Sequence, residues 1–358
     1  MKNELVSVIT PCYNVANTLV CYLQSLLNQT YENIEVIAVD DGSTDETANI
    51  LKKYISIFSQ HRMTLKYIYQ KNSGLGAAIN TGLKYVSGEY LCWADPDDFY
   101  IPTSIEKRIK ILQDHLEFAV VSSDAYVFYS ENLQKPIKRE ATRFVHRYEY
   151  NQFEYLLTEE SHFCAGCHMI RMSAFDEVNP ERKIYPAKRG QNWQLLLPVY
   201  YKYKRFYLDE PLYAYIIYPK SMSSGDTTKE KELQRWEEHE KIINETLAKI
   251  PLQDTEREKY TQIINVRYAK KRFYTAIDYK DKKLLKEQYL FLKYCNEDIS
   301  EIRTSYLRNY YLLWKIYYKL KEIVNKGYTY YYQIAEELGV TEDLVKKAYN
   351  YYLEGNRG

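Results

Sequence analysis

Short apolar runs and helix-spaced apolar positions alternate through the first 130 residues. Val6-Ser7-Val8-Ile9-Thr10 is a compact run of the kind a buried strand needs, and Leu19, Leu23, Leu26 and Leu27 share one face of a helix over 17–28. Further strands are expected at 34–39, 65–69 and 90–94, and further helices at 45–58, 76–86 and 103–115. Ser43 or Thr44 is the expected N-cap of the 45–58 helix. Strand–helix alternation of this kind predicts an α/β architecture, a mostly parallel sheet with helices on both faces. After 118 the pattern is mixed, with a long strand over 119–129, a helix over 191–203 and a strand over 212–218. Beyond about 227 Gly and Pro become scarce, and helical patterns rich in Lys, Glu and Tyr take over. The expected division is therefore 1–226, itself made of halves 1–130 and 131–226, and a helical region 227–358, with the boundary in Ser221-Met222-Ser223-Ser224-Gly225-Asp226. No repeat of solenoid length is visible.

Polar clusters fall at the carboxyl ends of the expected strands: Thr10-Pro11-Cys12-Tyr13-Asn14, Asp40-Asp41-Gly42-Ser43, residues 70–74, and Asp95-Pro96-Asp97-Asp98. Ligands on parallel sheets bind at that edge. The last cluster sets three carboxylates in four residues directly after the apolar run Tyr90-Leu91-Cys92-Trp93-Ala94. Unpaired, they repel one another and lose solvation. Two readings fit: a solvated turn with helix-capping acids, or a site for a hard cation such as Mn²⁺ or Mg²⁺ that also holds phosphates. Four such clusters on one edge favour a ligand site.

Charge and cysteine usage narrow the classes. The formal net charge is +1, which points to no polyanionic partner. No apolar run approaches the roughly 18 residues needed to span a bilayer, and the N-terminal residues resemble no export leader. The six cysteines are scattered, so reduced thiols in a cytoplasmic setting are expected.

The four clusters together resemble the family 2 glycosyltransferases of the GT-A fold. The segments that carry the resemblance are Val8-Ile9-Thr10-Pro11-Cys12-Tyr13-Asn14, Val39-Asp40-Asp41-Gly42-Ser43-Thr44-Asp45, Gln70-Lys71-Asn72-Ser73-Gly74-Leu75-Gly76-Ala77-Ala78-Ile79-Asn80-Thr81-Gly82, and the Asp95 cluster. It covers about 4–220 and is strongest before 105. The resemblance implies a nucleotide-sugar donor site in 1–130 and an acceptor half in 131–226. Tyr13 is suited to stack on a base, and the resemblance implies a contact from Asp41 to a uracil edge, with Pro11, Asn14 and Asp40 beside it. Lys71, Asn72 and Gly74 resemble the loop that wraps the donor, where glycine permits close backbone approach. For the acidic cluster the resemblance implies a ribose contact from Asp95 and metal coordination through Asp97 and Asp98.

Members of this family usually invert the anomeric centre and take a general base from an Asp in a Gly-Glu-Asp motif that opens a helix. The matching segment here is Gly190-Gln191-Asn192-Trp193, so amides stand where carboxylates are usual. An amide cannot accept the acceptor's proton. His168, Asp176, Glu177 and Asp209 are the alternative base candidates, and Gln191, Asn192 and Trp193 the candidate acceptor contacts.

Three further motifs are less specific. Cys164-Ala165-Gly166-Cys167-His168 matches a haem-attachment pattern and half of a zinc site, but pocket lining is the preferred reading. Residues 334–345 resemble a helix-turn-helix, yet the second helix opens with Glu342-Asp343, which phosphates repel, so a packing hairpin is preferred over nucleic-acid binding. Residues 303–326 combine an apolar face with six basic residues and flanking aromatics; packing on neighbouring helices and peripheral contact with an anionic membrane both fit. The expectation is a metal-dependent transferase in surface polysaccharide synthesis, acting on a saccharide or lipid-linked acceptor. The alternative is a sugar-nucleotide-binding assembly protein without transfer, and the helical region suits a homo-oligomer.

Overall fold

The computed structural model describes residues 3–219, 228–295 and 300–310, together with 316, 335, 338–341 and 343–347. The chain divides into two compact units: Met1–Thr227 with Glu237–Ile264, and Thr228–Trp236 with Asn265–Gly358. Part of the helical tail thus belongs to the first unit.

That unit opens with strand β1 (Val6–Cys12), helix α1 (Ala16–Leu27), β2 (Ile34–Asp41), α2 (Thr47–Gln60), β3 (Thr64–Gln70), α3 (Leu75–Leu83) and β4 (Tyr90–Trp93). It continues through β5 (Phe99–Tyr100), α4 (Ser104–Asp114), β6 (Phe118–Tyr129), β7 (Lys138–Arg139), α5 (Phe153–Leu157), β8 (His168–Arg171), α6 (Met172–Val178), α7 (Gln191–Lys202) and β9 (Lys204–Ile217). The strands form one sheet in the order β3-β2-β1-β4-β8-β6-β9-β5, with β7 on β6. The pairs β3–β2, β2–β1 and β1–β4 are parallel. Beyond them β8 runs antiparallel to both β4 and β6, so the sheet as a whole is mixed. All eight residues of β2 are buried, as a strand covered on both faces requires. One layer of the core joins Val6, Val8, Leu19, Leu23, Leu51, Phe58 and Ile109.

Helix α2 starts two residues later than expected and is not capped by Ser43 or Thr44. The Ser43 amide donates to Asp40 Oδ1 and the Thr44 amide to Asn14 Oδ1, so these residues stitch β2 to β1 instead. Asp45 Oδ1 accepts the Thr47 amide, leaving the helix to begin there. The strand expected at 212–218 is the second half of the 14-residue β9. Asp209, Glu210 and Pro211 interrupt its apolar pattern where the pairing with β6 shifts register.

The tail comprises α8 (Lys229–Ala248), α9 (Asp254–Asp278), α10 (Lys282–Tyr294) and α11 (Ser300–Arg308). The second unit has its own core of Ala269, Phe273, Leu285, Tyr289, Leu292, Ile302 and Tyr306. In the segment 334–345, Ala335 and Val345 are buried and Gly339 takes φ +62°. Most of the stretch 303–326 lies outside the described residues. No helix among the described residues is long and apolar enough to cross a membrane.

Candidate active site

The ends of β1, β2 and β3 are laced together by side chains. Pro11 is half-buried within β1, and Tyr13 just beyond it is 51% exposed. Asn14 takes φ +53°, one of the few non-glycine residues in the left-handed region, and its amide donates to Ser43 Oγ at 3.0 Å. Asn tolerates that conformation better than most residues. Asp40 is fully buried; its Oδ1 accepts the Ser43 amide at 2.8 Å and its Oδ2 the Tyr67 hydroxyl at 3.0 Å. Each of its oxygens therefore carries one bond of the scaffold.

Asp41 organises the next loop. Its Oδ1 accepts Gln70 Nε2 at 2.7 Å and the Ser73 amide at 2.8 Å, and its Oδ2 accepts the Gly74 amide at 2.8 Å. Four lone-pair sites are available on a carboxylate, so Oδ2 keeps one open. Gly42, at φ +75°, lies so close to this loop that a Cβ would stand 2.8 Å from the Asn72 amide nitrogen. Lys71 and Asn72 are exposed at the loop's tip. Gly74 takes φ +89° at the start of α3, and the space above it is bounded by Lys188. Gly76 packs on the backbone of Tyr185 and Ala187, where a Cβ would meet Ala187 N at 2.7 Å.

The acidic cluster forms a tight turn after β4, with the Asp98 amide donating to the Asp95 carbonyl at 3.2 Å. Asp98 is buried, and its Oδ1 accepts the Ile216 amide of β9 at 2.7 Å. Asp95 and Asp97 are half-buried. Burial, then the neighbouring Asp97, pushes the Asp95 carboxyl up to about 7. Burial also raises Asp97, and burial with both neighbouring carboxylates raises Asp98 well above the usual range. Among the described residues no Lys or Arg forms an ion pair with any of the three. A divalent cation suits such uncompensated oxygen donors. Among the described residues, however, no three carboxylate, His or Cys groups converge to hold an ion alone. That combination fits an ion held by one or two carboxylates and completed by phosphate and water.

The other side of the cleft is built by α7. Gly190 precedes it at φ +79°, and Asn192 Oδ1 accepts the Trp93 indole N–H at 2.7 Å, which ties the helix start to β4 immediately before the acidic turn. Gln191 and Trp193 are buried. Trp193 packs between Phe163 and His239 of α8, with ring centroids 5.6 and 4.9 Å away. Gln194 holds the loop before α7 by bonding both the amide and the carbonyl of Tyr185.

The four alternative base candidates all have structural partners. His168 is buried, its Nδ1 bonds the Cys164 carbonyl at 2.8 Å, and burial pulls it well below the ordinary histidine range. Asp176 is held by both Arg182 Nε and Nη2. Glu177 bonds Lys202 and Tyr203, which lower it, and Asp209 bonds Tyr148 and Arg139, which lower it. Glu177 and Asp209 are thereby stabilised as carboxylates, which weakens them as proton acceptors.

Comparison with known proteins places the chain. A model described as "Glycosyl transferase family 2" matches residues 7–178. EpsE of Bacillus subtilis is 30% identical over 210 residues, covering 58% of this chain and 71% of EpsE. The chain belongs to glycosyltransferase family 2. Glycosyltransferase GlyA of Streptococcus pneumoniae is 32% identical over 241 residues, 64% of this chain and 33% of GlyA. The chain spans about a third of the length of the first curated relatives it matches. The crystal structure of residues 1–349 of Staphylococcus aureus TarS in complex with UDP-GlcNAc superposes with a TM-score of 0.59 at 17% identity, covering 88% of this chain and 92% of that one. The fold is accordingly GT-A, a mixed sheet flanked by helices with a helical region after it.

Sequence reasoning missed the contribution of α8. Its His239 and Ile242 press on Trp193 and Gly190, and Glu238 pairs with Arg189 at 3.4 Å. The helix pattern was legible, but not that it would pack on the start of α7.

Proposed function

We propose that this family 2 glycosyltransferase is a metal-assisted, inverting enzyme that moves a sugar from a UDP-type donor to a hydroxyl of a saccharide or lipid-linked saccharide, in the assembly of a surface polysaccharide. The observation that carries the reading is the group of uncompensated carboxylates, Asp95, Asp97 and Asp98, on the same sheet edge as the Asp41-organised loop. UDP-GlcNAc in the TarS complex supports the donor class.

In this reading Tyr13 stacks on the base, and the open lone pair of Asp41 Oδ2 accepts a ring N–H. Lys71, Asn72 and Gly74 close over the nucleoside, and Asp95 faces the ribose. Asp97 and Asp98 would hold Mn²⁺ or Mg²⁺, Asp98 through the oxygen that Ile216 leaves open. When bound, the ion stabilises negative charge on the leaving diphosphate as a Lewis acid. On the acceptor side Gln191 and Asn192 orient a hydroxyl by hydrogen bonds, and Trp193 backs them from within the core. An acceptor presented at a membrane surface would place the chain there peripherally.

One observation favours a second reading, a donor-binding protein without transfer: Asn192 is an amide, and its oxygen is committed to Trp93. Incubation with Mn²⁺ and a panel of nucleotide sugars separates the two, with free nucleotide as the readout. Release that vanishes in Asp97→Ala supports the enzyme. Metal-dependent UDP binding without turnover on any donor or acceptor supports the second reading.

A further inference from the structure

We infer that Cys164 and Cys167 close into a reversible disulfide on contact with a peroxide, and that this oxidation slows turnover at the neighbouring cleft. The disulfide itself stands apart from the proposed function; its effect on turnover rests on that reading. Cys164 is half-buried and Cys167 fully buried, and both are free thiols. The intervening residues make a single 3₁₀ turn in which the Cys167 amide donates to the Cys164 carbonyl at 3.2 Å. A turn closed from i to i+3 keeps its end Cα atoms within about 7 Å, which overlaps the separation of about 4.4–6.8 Å found across disulfides. Each thiol shifts the other's titration, Cys164 upward and Cys167 downward.

The surroundings favour a thiolate at Cys167, while the neighbouring Cys167 and burial keep Cys164 a neutral thiol. Burial alone would raise Cys167, but the Cys164 thiol, His162 and the Arg108 guanidinium together bring it below the ordinary thiol range. Arg108 is itself fully buried and pins the turn by donating to the Gly166 carbonyl at 2.9 Å. Cys12 and Cys92 contrast with this: burial raises both, and neither has a neighbouring cysteine in a turn. A thiolate beside a second thiol is the arrangement from which oxidation proceeds to a disulfide.

The chemistry balances with a peroxide as the two-electron oxidant. Peroxide enters past the half-buried Cys164, the Cys167 thiolate attacks one of its oxygens, the O–O bond breaks, and the departing hydroxide takes up a proton to leave as water. Cys164 then attacks the Cys167 sulfenic sulfur, the S–O bond breaks, and a second water leaves with the Cys164 proton. Two thiols are oxidised, one peroxide is reduced, and one S–S bond forms.

The turn sits where such a change is felt. The Cys164 carbonyl holds His168, the His168 ring stacks on Trp93 at 5.9 Å, and Trp93 holds Asn192. On its other side the turn has no slack, since a Cβ on Gly166 would stand 1.9 Å from the Tyr213 ring. Tyr213 lies on β9, whose Ile216 amide holds Asp98. Drawing the sulfurs to bonding distance therefore pulls on Asn192 or on Asp98.

The test treats the whole chain with hydrogen peroxide, maps its peptides by mass spectrometry, and measures nucleotide release against each protein's own untreated rate. The expected result is a Cys164–Cys167 cross-link about 2 Da lighter than the reduced form. Release should fall about tenfold and recover with dithiothreitol, since small displacements at a reacting centre are costly. Cys167→Ser should abolish both cross-link and reversible fall; Cys164→Ser, at the half-buried position, gives the same answer if Cys167→Ser does not fold. A missing cross-link overturns the inference, as does a cross-link with undiminished release. If the untreated chain turns nothing over, the donor reading has failed; the map still decides the disulfide, and UDP affinity before and after peroxide decides its reach to the cleft.

Discussion

Asp40-Asp41 and Asp95-Asp97-Asp98 are two acidic strand ends on one edge of one sheet, and they are employed in opposite ways. At the end of β2, Asp40 and Asp41 accept five hydrogen bonds between them, from Ser43, Tyr67, Gln70, Ser73 and Gly74. They hold the donor loop in shape. After β4, Asp98 accepts one backbone amide; burial raises all three carboxyls, and neighbouring carboxylates raise Asp95 and Asp98 further. A satisfied carboxylate is scaffold, whereas an unsatisfied buried one is held in place at a cost that a ligand relieves.

The largest expected effect comes from removing an unsatisfied carboxylate. Asp97→Ala should cut nucleotide release by about 100-fold or more, the scale of lost electrostatic stabilisation, while the melting temperature holds or rises because repulsion is relieved. A melting temperature that falls as far as in Asp41→Ala would erase the distinction between the two acidic ends. Asp41→Ala should instead cost about 2 kcal/mol of stability in urea titration, because buried donors lose their acceptor, and it should weaken UDP binding. Unchanged stability would show that the loop does not depend on Asp41.

Asn192→Asp places a carboxylate where Trp93 already offers an N–H. Release should rise about tenfold in the presence of acceptor, less than the roughly 100-fold of a well-placed general base because the Trp93 N–H holds the new carboxylate in its charged form. No rise would mean that the proton leaves by another route. The smallest effect is on stability against pH. The raised carboxyls prefer the protonated folded state, so without metal the chain should lose stability as pH rises from about 4, where an unfolded Asp titrates, to about 7, where Asp95 does. Mn²⁺ should recover that loss at pH 7.5 and add little at pH 5. Melting curves with chelator or metal at both values check this, and a metal effect equal at both would speak against binding at these carboxylates.

Much of the parallel half of the fold was legible, since β1, α1, β2, β3 and β4 each carry an apolar pattern of their own. The start of α2 was not, because the Ser43 amide turns back to Asp40 at the end of β2 and the Thr44 amide goes to Asn14 beyond β1. The length of β9 was hidden by Asp209-Glu210-Pro211, which cross a register shift instead of ending the strand. In the site, the four polar clusters could be placed on one edge from their positions alone. Which carboxylates were already bonded could not, because all their partners but Ser43 lie 27–118 residues away in the chain.

The residues themselves determined the strand–helix order, the acidic turn after β4 and the amides at Gln191-Asn192, because local periodicity and side-chain chemistry are carried by neighbours in the chain. Tertiary structure alone decided that Asp41 holds a loop while Asp97 stays uncompensated, that Asn192 rests on Trp93, and that α8 closes on Trp193. Hydrogen bonding and desolvation depend on which distant groups fold to within a few ångströms, and no local pattern encodes that distance.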